Sequence, residues 1–195
     1  MMFNENFILV IFLLSIALVN KALYYYDENK SKRKNLDSLK SFNYIQRYLR
    51  FSTLIISISS LYSSNYYLYK ILNFQYIYIG SSLCGLSVVI LFIARYNLSD
   101  NYSPCYNMKA PKDFIRHGVY KIVRHPIYLS NLILLSGVFL ISGSAWIVLN
   151  FLILFIYYLI SAFKEERSLL KKFPSYKKYK SITSMFIPGY KLVKK

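Results

Sequence analysis

Between Arg124 and Lys164 the chain runs for 39 residues without Asp, Glu, Lys or Arg. Nothing else in the sequence limits the fold so strongly. A helix needs about 20 apolar residues to cross the roughly 30 Å of bilayer hydrocarbon. A helix spanning the whole run would reach ~58 Å at ~1.5 Å per residue, nearly two bilayers. The run therefore predicts two spans and a tight turn, and Ser142-Gly143-Ser144 supplies the turn residues. Other charge-free stretches lie between Glu5 and Lys21, between Arg50 and Lys70, and between Lys70 and Arg95. Together they predict an all-α integral membrane protein of about five transmembrane helices. The spans are expected near 5–25, 51–69, 74–95, 127–142 and 145–163, the last two as a helical hairpin.

Charge placement supports that count. Alternating loops put segments 21–50, 95–124 and 164–195 on one side, with eight, six and ten Lys/Arg, and leave Lys70 alone on the other. Basic loops belong on the cytoplasmic side. The N-terminus is thus expected outside and the C-terminus in the cytoplasm. A net charge of +17 would suit a nucleic-acid binder if it formed one surface. Here it falls in blocks between apolar runs, which reads as topology and attraction to anionic headgroups. No nucleic-acid partner is expected. The 21 Tyr suit interfacial belts, with Tyr24, Tyr25 and Tyr26 at one edge. Two regions follow: residues 1–95, three spans with a basic cytoplasmic loop, and residues 96–195, the hairpin, its flanking motifs and a cytoplasmic tail. A cleaved signal peptide is not expected. Cys84 and Cys105 should be reduced.

Ionisable groups beside hydrocarbon are costly and tend to be functional. Three clusters fall on the expected cytoplasmic side. In the first, Arg116-His117-Gly118-Val119-Tyr120 leads to Arg124-His125-Pro126-Ile127-Tyr128. Pro126 suits a first helical turn. The free N–H groups of that turn favour a carboxylate or phosphate, and Arg124 adds to the attraction. Gly118 permits a close backbone approach or a positive φ. The second cluster is Glu165-Glu166, two of only eight acidic residues. Their i+4 neighbours are Leu169 and Leu170, so no helical ion pair is available to them. Their helix should continue to about Phe173 and stop at Pro174. The third cluster is the tail, with Tyr176, Tyr179, Pro188 and Tyr190. Aromatic faces can hold a sulfonium or ammonium for about 0.5–2 kcal/mol each. The plain alternatives are an interfacial basic flank, solvated carboxylates and a Lys/Tyr coat. His117 and His125, eight apart, lack metal-ligand spacing, and no metal is expected.

The order of these residues resembles the membrane methyltransferases that include isoprenylcysteine carboxyl methyltransferases and bacterial phospholipid methyltransferases. The pattern is Gly118-x-Tyr120, Arg124-His125-Pro126-x-Tyr128, Gly137, Glu165-Glu166-x-x-Leu169, then Phe173, Tyr176, Tyr179 and Pro188. It covers roughly residues 95–190. The resemblance implies S-adenosyl-L-methionine as methyl donor, bound on the cytoplasmic side. It implies Tyr120, Arg124, His125, Tyr128, Glu165 and Glu166 as cofactor-binding residues, with His125, Arg124 and Glu166 carrying the catalysis. The chain departs from the family in two places. Pro174 stands where a Gly commonly follows the Phe. Ser161 and Ala162 occupy the turn in which eukaryotic prenylcysteine enzymes carry an Arg.

Methyl transfer is an in-line displacement, and alignment of the partners can supply about 7–11 kcal/mol of the barrier. A carboxylate acceptor, as in an isoprenylcysteine, needs no base. A phospholipid amine must lose a proton, and His125 is the base the motif offers. The expected partners are membrane lipids and a lipophilic or prenylated acceptor. Two rivals remain: a sterol-reductase-like enzyme using reduced nicotinamide, and a non-catalytic membrane scaffold. A thermal-shift comparison of the two cofactors separates the first, and tolerance of substitution at His125 and Glu165 marks the second.

Overall fold

The computed structural model describes residues 74–98, 114–143 and 145–189. Four α-helices lie in this part of the chain: α1 at Phe74–Leu98, α2 at Pro126–Ser142, α3 at Ala145–Lys172 and α4 at Tyr176–Ile182. A 3-10 turn at Gly118–Lys121 precedes α2. The described residues contain no strand, only one isolated parallel bridge between Val123 and Ser184. The chain divides into two compact units. One comprises Asn73–Ile141 and Phe151–Lys195, and the other comprises Met1–Leu72 and Ser142–Asn150.

Gln75–Leu98 and Ala145–Lys172 are long and apolar enough to cross a membrane, and Pro126–Ser142 is a shorter apolar helix. Its 17 residues span ~26 Å at ~1.5 Å each, just under the hydrocarbon thickness. These helices match the expected spans near 74–95, 127–142 and 145–163; those near 5–25 and 51–69 lie outside the described residues. Between α2 and α3 the chain turns at Gly143, with φ +64°, a left-handed conformation that favours Gly. The apolar part of α3 ends at Phe163, and its last nine residues carry the charges. Pro174 follows directly on Phe173, where the helix has stopped, since a proline cannot continue the amide ladder.

Small residues bring α1 and α2 together. A Cβ on Gly80 would lie 2.7 Å from the Gly137 carbonyl oxygen, and one on Gly137 would lie 2.6 Å from the Gly80 oxygen and 2.7 Å from Cys84 Sγ. Backbones this close leave no room for side chains. Dispersion contact and interhelical hydrogen bonds take over from the hydrophobic effect, which has little force between helices in lipid. Ser87 Oγ donates to the Ser130 carbonyl at 2.7 Å. Cys84, a free thiol, is fully buried at this crossing. The opposite face of α1 exposes Tyr78, Ile79, Leu86, Val89 and Phe92, as a lipid-facing side would.

The tail folds back instead of trailing away. Phe114, Tyr176 and Tyr179 form a small buried cluster, with Leu169, Leu170 and Phe173 packed against it. Phe114 meets Tyr176 edge-on, with centroids 5.3 Å apart, and lies 5.6 Å from Phe173 and Tyr179. This knot joins the segment before α2 to the end of α3 and to α4.

Candidate functional site

The Arg124-His125 pair is positioned from both sides. On the N-terminal side, Gly118 adopts φ +57°, and a Cβ there would lie 2.0 Å from Asn97 Nδ2. The positive φ favours glycine, and a Cβ would also oblige the Asn97 side chain to move; the contact sets the 3-10 turn against the end of α1. On the C-terminal side, the tail pairs with the backbone. The Arg124 amide donates to the Ser184 carbonyl at 2.8 Å, and the His125 amide donates to the Met185 carbonyl at 3.2 Å. Pro126, whose nitrogen has no hydrogen to donate, then opens α2.

Glu165 and Glu166 reach the same place from α3. Tyr158, Ser161, Ala162 and Glu166 are buried, while Lys164 and Arg167 are exposed. The glutamates thus continue the inward face of the helix. Glu166 is almost fully covered, with 1% of its side chain exposed. Its Oε1 accepts from Arg124 Nε at 2.7 Å and lies 3.3 Å from His125 Nε2. Lys180 Nζ stands 2.8 Å from Oε2, yet out of alignment, so Oε2 accepts no hydrogen bond among the described residues. Arg124 Nη1 also donates to the carbonyl oxygens of Lys180, at 3.0 Å, and Thr183. Glu165 Oε1 accepts from the Tyr128 hydroxyl at 2.6 Å, and its Oε2 lies 3.4 Å from His125 Nδ1. His125 stacks on Tyr128, and Tyr128 on Tyr158, with centroids 5.4 and 4.7 Å apart.

Both ring nitrogens of His125 therefore face carboxylate oxygens, which suits the doubly protonated ring. Burial disfavours that charge. The hydrogen bonds and negative charges of Glu165 and Glu166 outweigh it and raise the imidazole pKa above its usual value. Glu166 lies beyond the apolar run that ends at Phe163. Burial alone would raise its carboxyl, but contacts with His125, Lys180 and Arg124 pull it down to about 2. The phenols of Tyr176 and Tyr179 are pushed up, chiefly by burial, and stay neutral.

Of the six residues expected at a site, five converge: Arg124, His125, Tyr128, Glu165 and Glu166. Tyr120 is buried on the 3-10 turn and is tied to the tail, its carbonyl accepting from the Tyr179 hydroxyl at 2.5 Å. His117 is exposed. The rings of Tyr176 and Tyr179 are packed against Phe114 and each other. Pro188 is exposed, and Tyr190 and Cys105 lie outside the described residues. Sequence reading missed Lys180, Thr183, Ser184 and Met185. Lys180 sits among many lysines, and the other three act through their backbones, which leaves no residue signature. Asn97 was also missed, although a small-residue requirement at Gly118 implies some close neighbour.

No curated protein matches the chain. The family model for phospholipid methyltransferases matches residues 75–176 of 195. The match runs from the start of α1 past the glutamate pair to the first residue of α4, and so takes in Arg124, His125, Tyr128, Glu165 and Glu166 together. The chain belongs to the phospholipid methyltransferase family, a family of membrane methyltransferases.

Proposed function

We propose that this chain transfers a methyl group from S-adenosyl-L-methionine to a lipophilic acceptor at the cytoplasmic face of a membrane, in the manner of an isoprenylcysteine carboxyl O-methyltransferase. One observation carries the reading: a buried cluster of Arg124, His125, Tyr128, Glu165 and Glu166 in which both ring nitrogens of His125 face carboxylate oxygens. The donor set suits such a cofactor, because Glu166 Oε2 is buried without an aligned hydrogen-bond donor among the described residues. Glu165 and Glu166 would receive the cofactor's ammonium and ribose hydroxyls, and the N-terminus of α2 its carboxylate. When bound, the cofactor supplies a methyl group on a positively charged sulfur, so an acceptor oxygen can form the new C–O bond as the C–S bond breaks and the sulfur becomes neutral.

The protein's own part is alignment. Arg124 holds the Glu166 carboxylate in place and fastens the tail beside it. His125 bridges the two glutamates and keeps them from repelling each other. A proton acceptor needs a free lone pair aimed at the substrate, and both ring nitrogens of His125 are turned to carboxylates instead. An acceptor that arrives already deprotonated, such as a carboxylate, therefore fits this site better than an amine that must shed a proton. Phospholipid amine N-methylation is the second reading, favoured by the family match.

Membranes carrying the protein, incubated with methyl-labelled donor, separate the two. Label released as methanol by mild alkali indicates an ester, and alkali-stable label in a lipid amine indicates N-methylation. Absence of any transferred label refutes methyl transfer.

A further inference from the structure

Three cations meet the single carboxylate of Glu166, and they are not equivalent. Arg124 and His125 both approach Oε1, and each side chain is only 7% exposed. Among the described residues Lys180 alone approaches Oε2, and its side chain is 39% exposed. The contact is close at 2.8 Å but out of hydrogen-bond alignment. With His125 protonated, the cluster holds three positive charges against the two of Glu165 and Glu166. A further ammonium brought to Oε2 would crowd a fourth cation into a largely dry site, which is strongly unfavourable. Exchanging one ammonium for another leaves the charge unchanged. Lys180 can make the exchange, because a flexible four-carbon stem carries its head into water at small cost.

We propose that the Lys180 ammonium is a built-in placeholder on Glu166 Oε2, displaced when the ammonium of the cofactor's amino-acid end binds there. The inference rests on the reading that Glu166 receives that ammonium. The free protein keeps its buried carboxylate paired, and the paired lysine sets a tax on cofactor affinity.

The test uses the full chain in detergent micelles, with calorimetric titration of S-adenosylhomocysteine and of its analogue lacking the α-amino group. Lys180→Met should tighten binding of the parent ligand about fivefold, the upper range for a part-exposed ion pair, and leave the deaminated analogue unchanged. Lys180→Arg should give no tightening. Weaker parent binding in Lys180→Met, or an equal change for both ligands, overturns the placeholder. A second readout needs no variant. Acetylation of Lys180 in the wild-type protein, followed by mass spectrometry, should quicken when the parent ligand is bound; slowed or unchanged labelling overturns the exchange. If the wild-type protein binds neither ligand, the cofactor reading itself falls. If it binds the parent and Lys180→Met binds it equally well, only the exchange falls.

Discussion

Arg124→Met is the sharpest probe of how the site is held together. The substitution keeps most of the aliphatic stem and removes the guanidinium. Glu166 loses its 2.7 Å partner on Oε1, and the carbonyls of Lys180 and Thr183 lose a shared donor. Removing one member of a buried ion pair costs about 3–5 kcal/mol. Two cations, His125 and Lys180, stay with Glu166 and soften the loss, while the two bared carbonyls add to it. The expected cost is about 3 kcal/mol, at the low end of that range. On the scale of globular proteins this size, that lowers Tm by roughly 6–12 °C. Thermal unfolding in a single detergent measures it. Replacing Glu166 with Gln as well should recover about 2 kcal/mol relative to the sum of the two single variants, because the neutral amide no longer strands a charge. Limited proteolysis adds a local readout: cleavage after the exposed Lys177 and Lys178 should quicken in Arg124→Met. A Tm within about 1 °C of wild type, or additive single and double variants, would refute the clamp.

Gly118→Ala should destabilise by at least about 1 kcal/mol from its φ of +57° alone, and the Asn97 side chain must shift to admit the new Cβ. Adding Asn97→Ala should remove only the cost of that shift, and unfolding of the two variants separates the contributions. The raised pKa of His125 means that its charge stabilises the fold fully below its ordinary value of 6.5, and that this stability is lost as pH rises through the raised value. Wild-type Tm should therefore fall as pH rises above 6.5 and through the raised pKa, and His125→Gln, with no proton to lose, should flatten that fall; parallel profiles would exclude a charged His125. Glu166→Ala should abolish S-adenosylhomocysteine binding in calorimetry, and unchanged affinity would sink the pocket assignment.

The fold was legible where physics leaves a mark in composition. The charge-free run from Arg124 to Lys164 is long because two helices must shed water, and α2, the turn at Gly143 and α3 follow from it. Gly118 was readable for the same kind of reason: an L-residue there would need a strained backbone, and the structure adds a collision with Asn97. The glutamates stood out because no cation lay one turn away on their helix, and their partners do come from elsewhere. The tail was less legible. Tyr176 and Tyr179 have the composition of a cation cage, yet their rings are buried against Phe114 and each other. His125 has the residue type of a base, but its protonation is set by two carboxylates some forty residues away in sequence, which no local pattern encodes.

The tail does more than cover the site, because one guanidinium holds both. Arg124 binds the Glu166 carboxylate through Nε and the tail carbonyls through Nη1, while its own amide pairs with Ser184. A shift of the tail therefore cannot leave the Glu166 carboxylate undisturbed. The tail segment also supplies Lys180, the partner on Oε2. Tail closure and the charge state of the carboxylate pair are thus coupled through shared atoms, with no need for a relay of side chains. The family match ends at residue 176, just before this segment, although four of the contacts that orient Arg124 and His125 lie beyond it. Side-chain identity matters little for carbonyl acceptors, so Thr183, Ser184 and Met185 complete the site without a residue signature, whereas Lys180 contributes through its side chain.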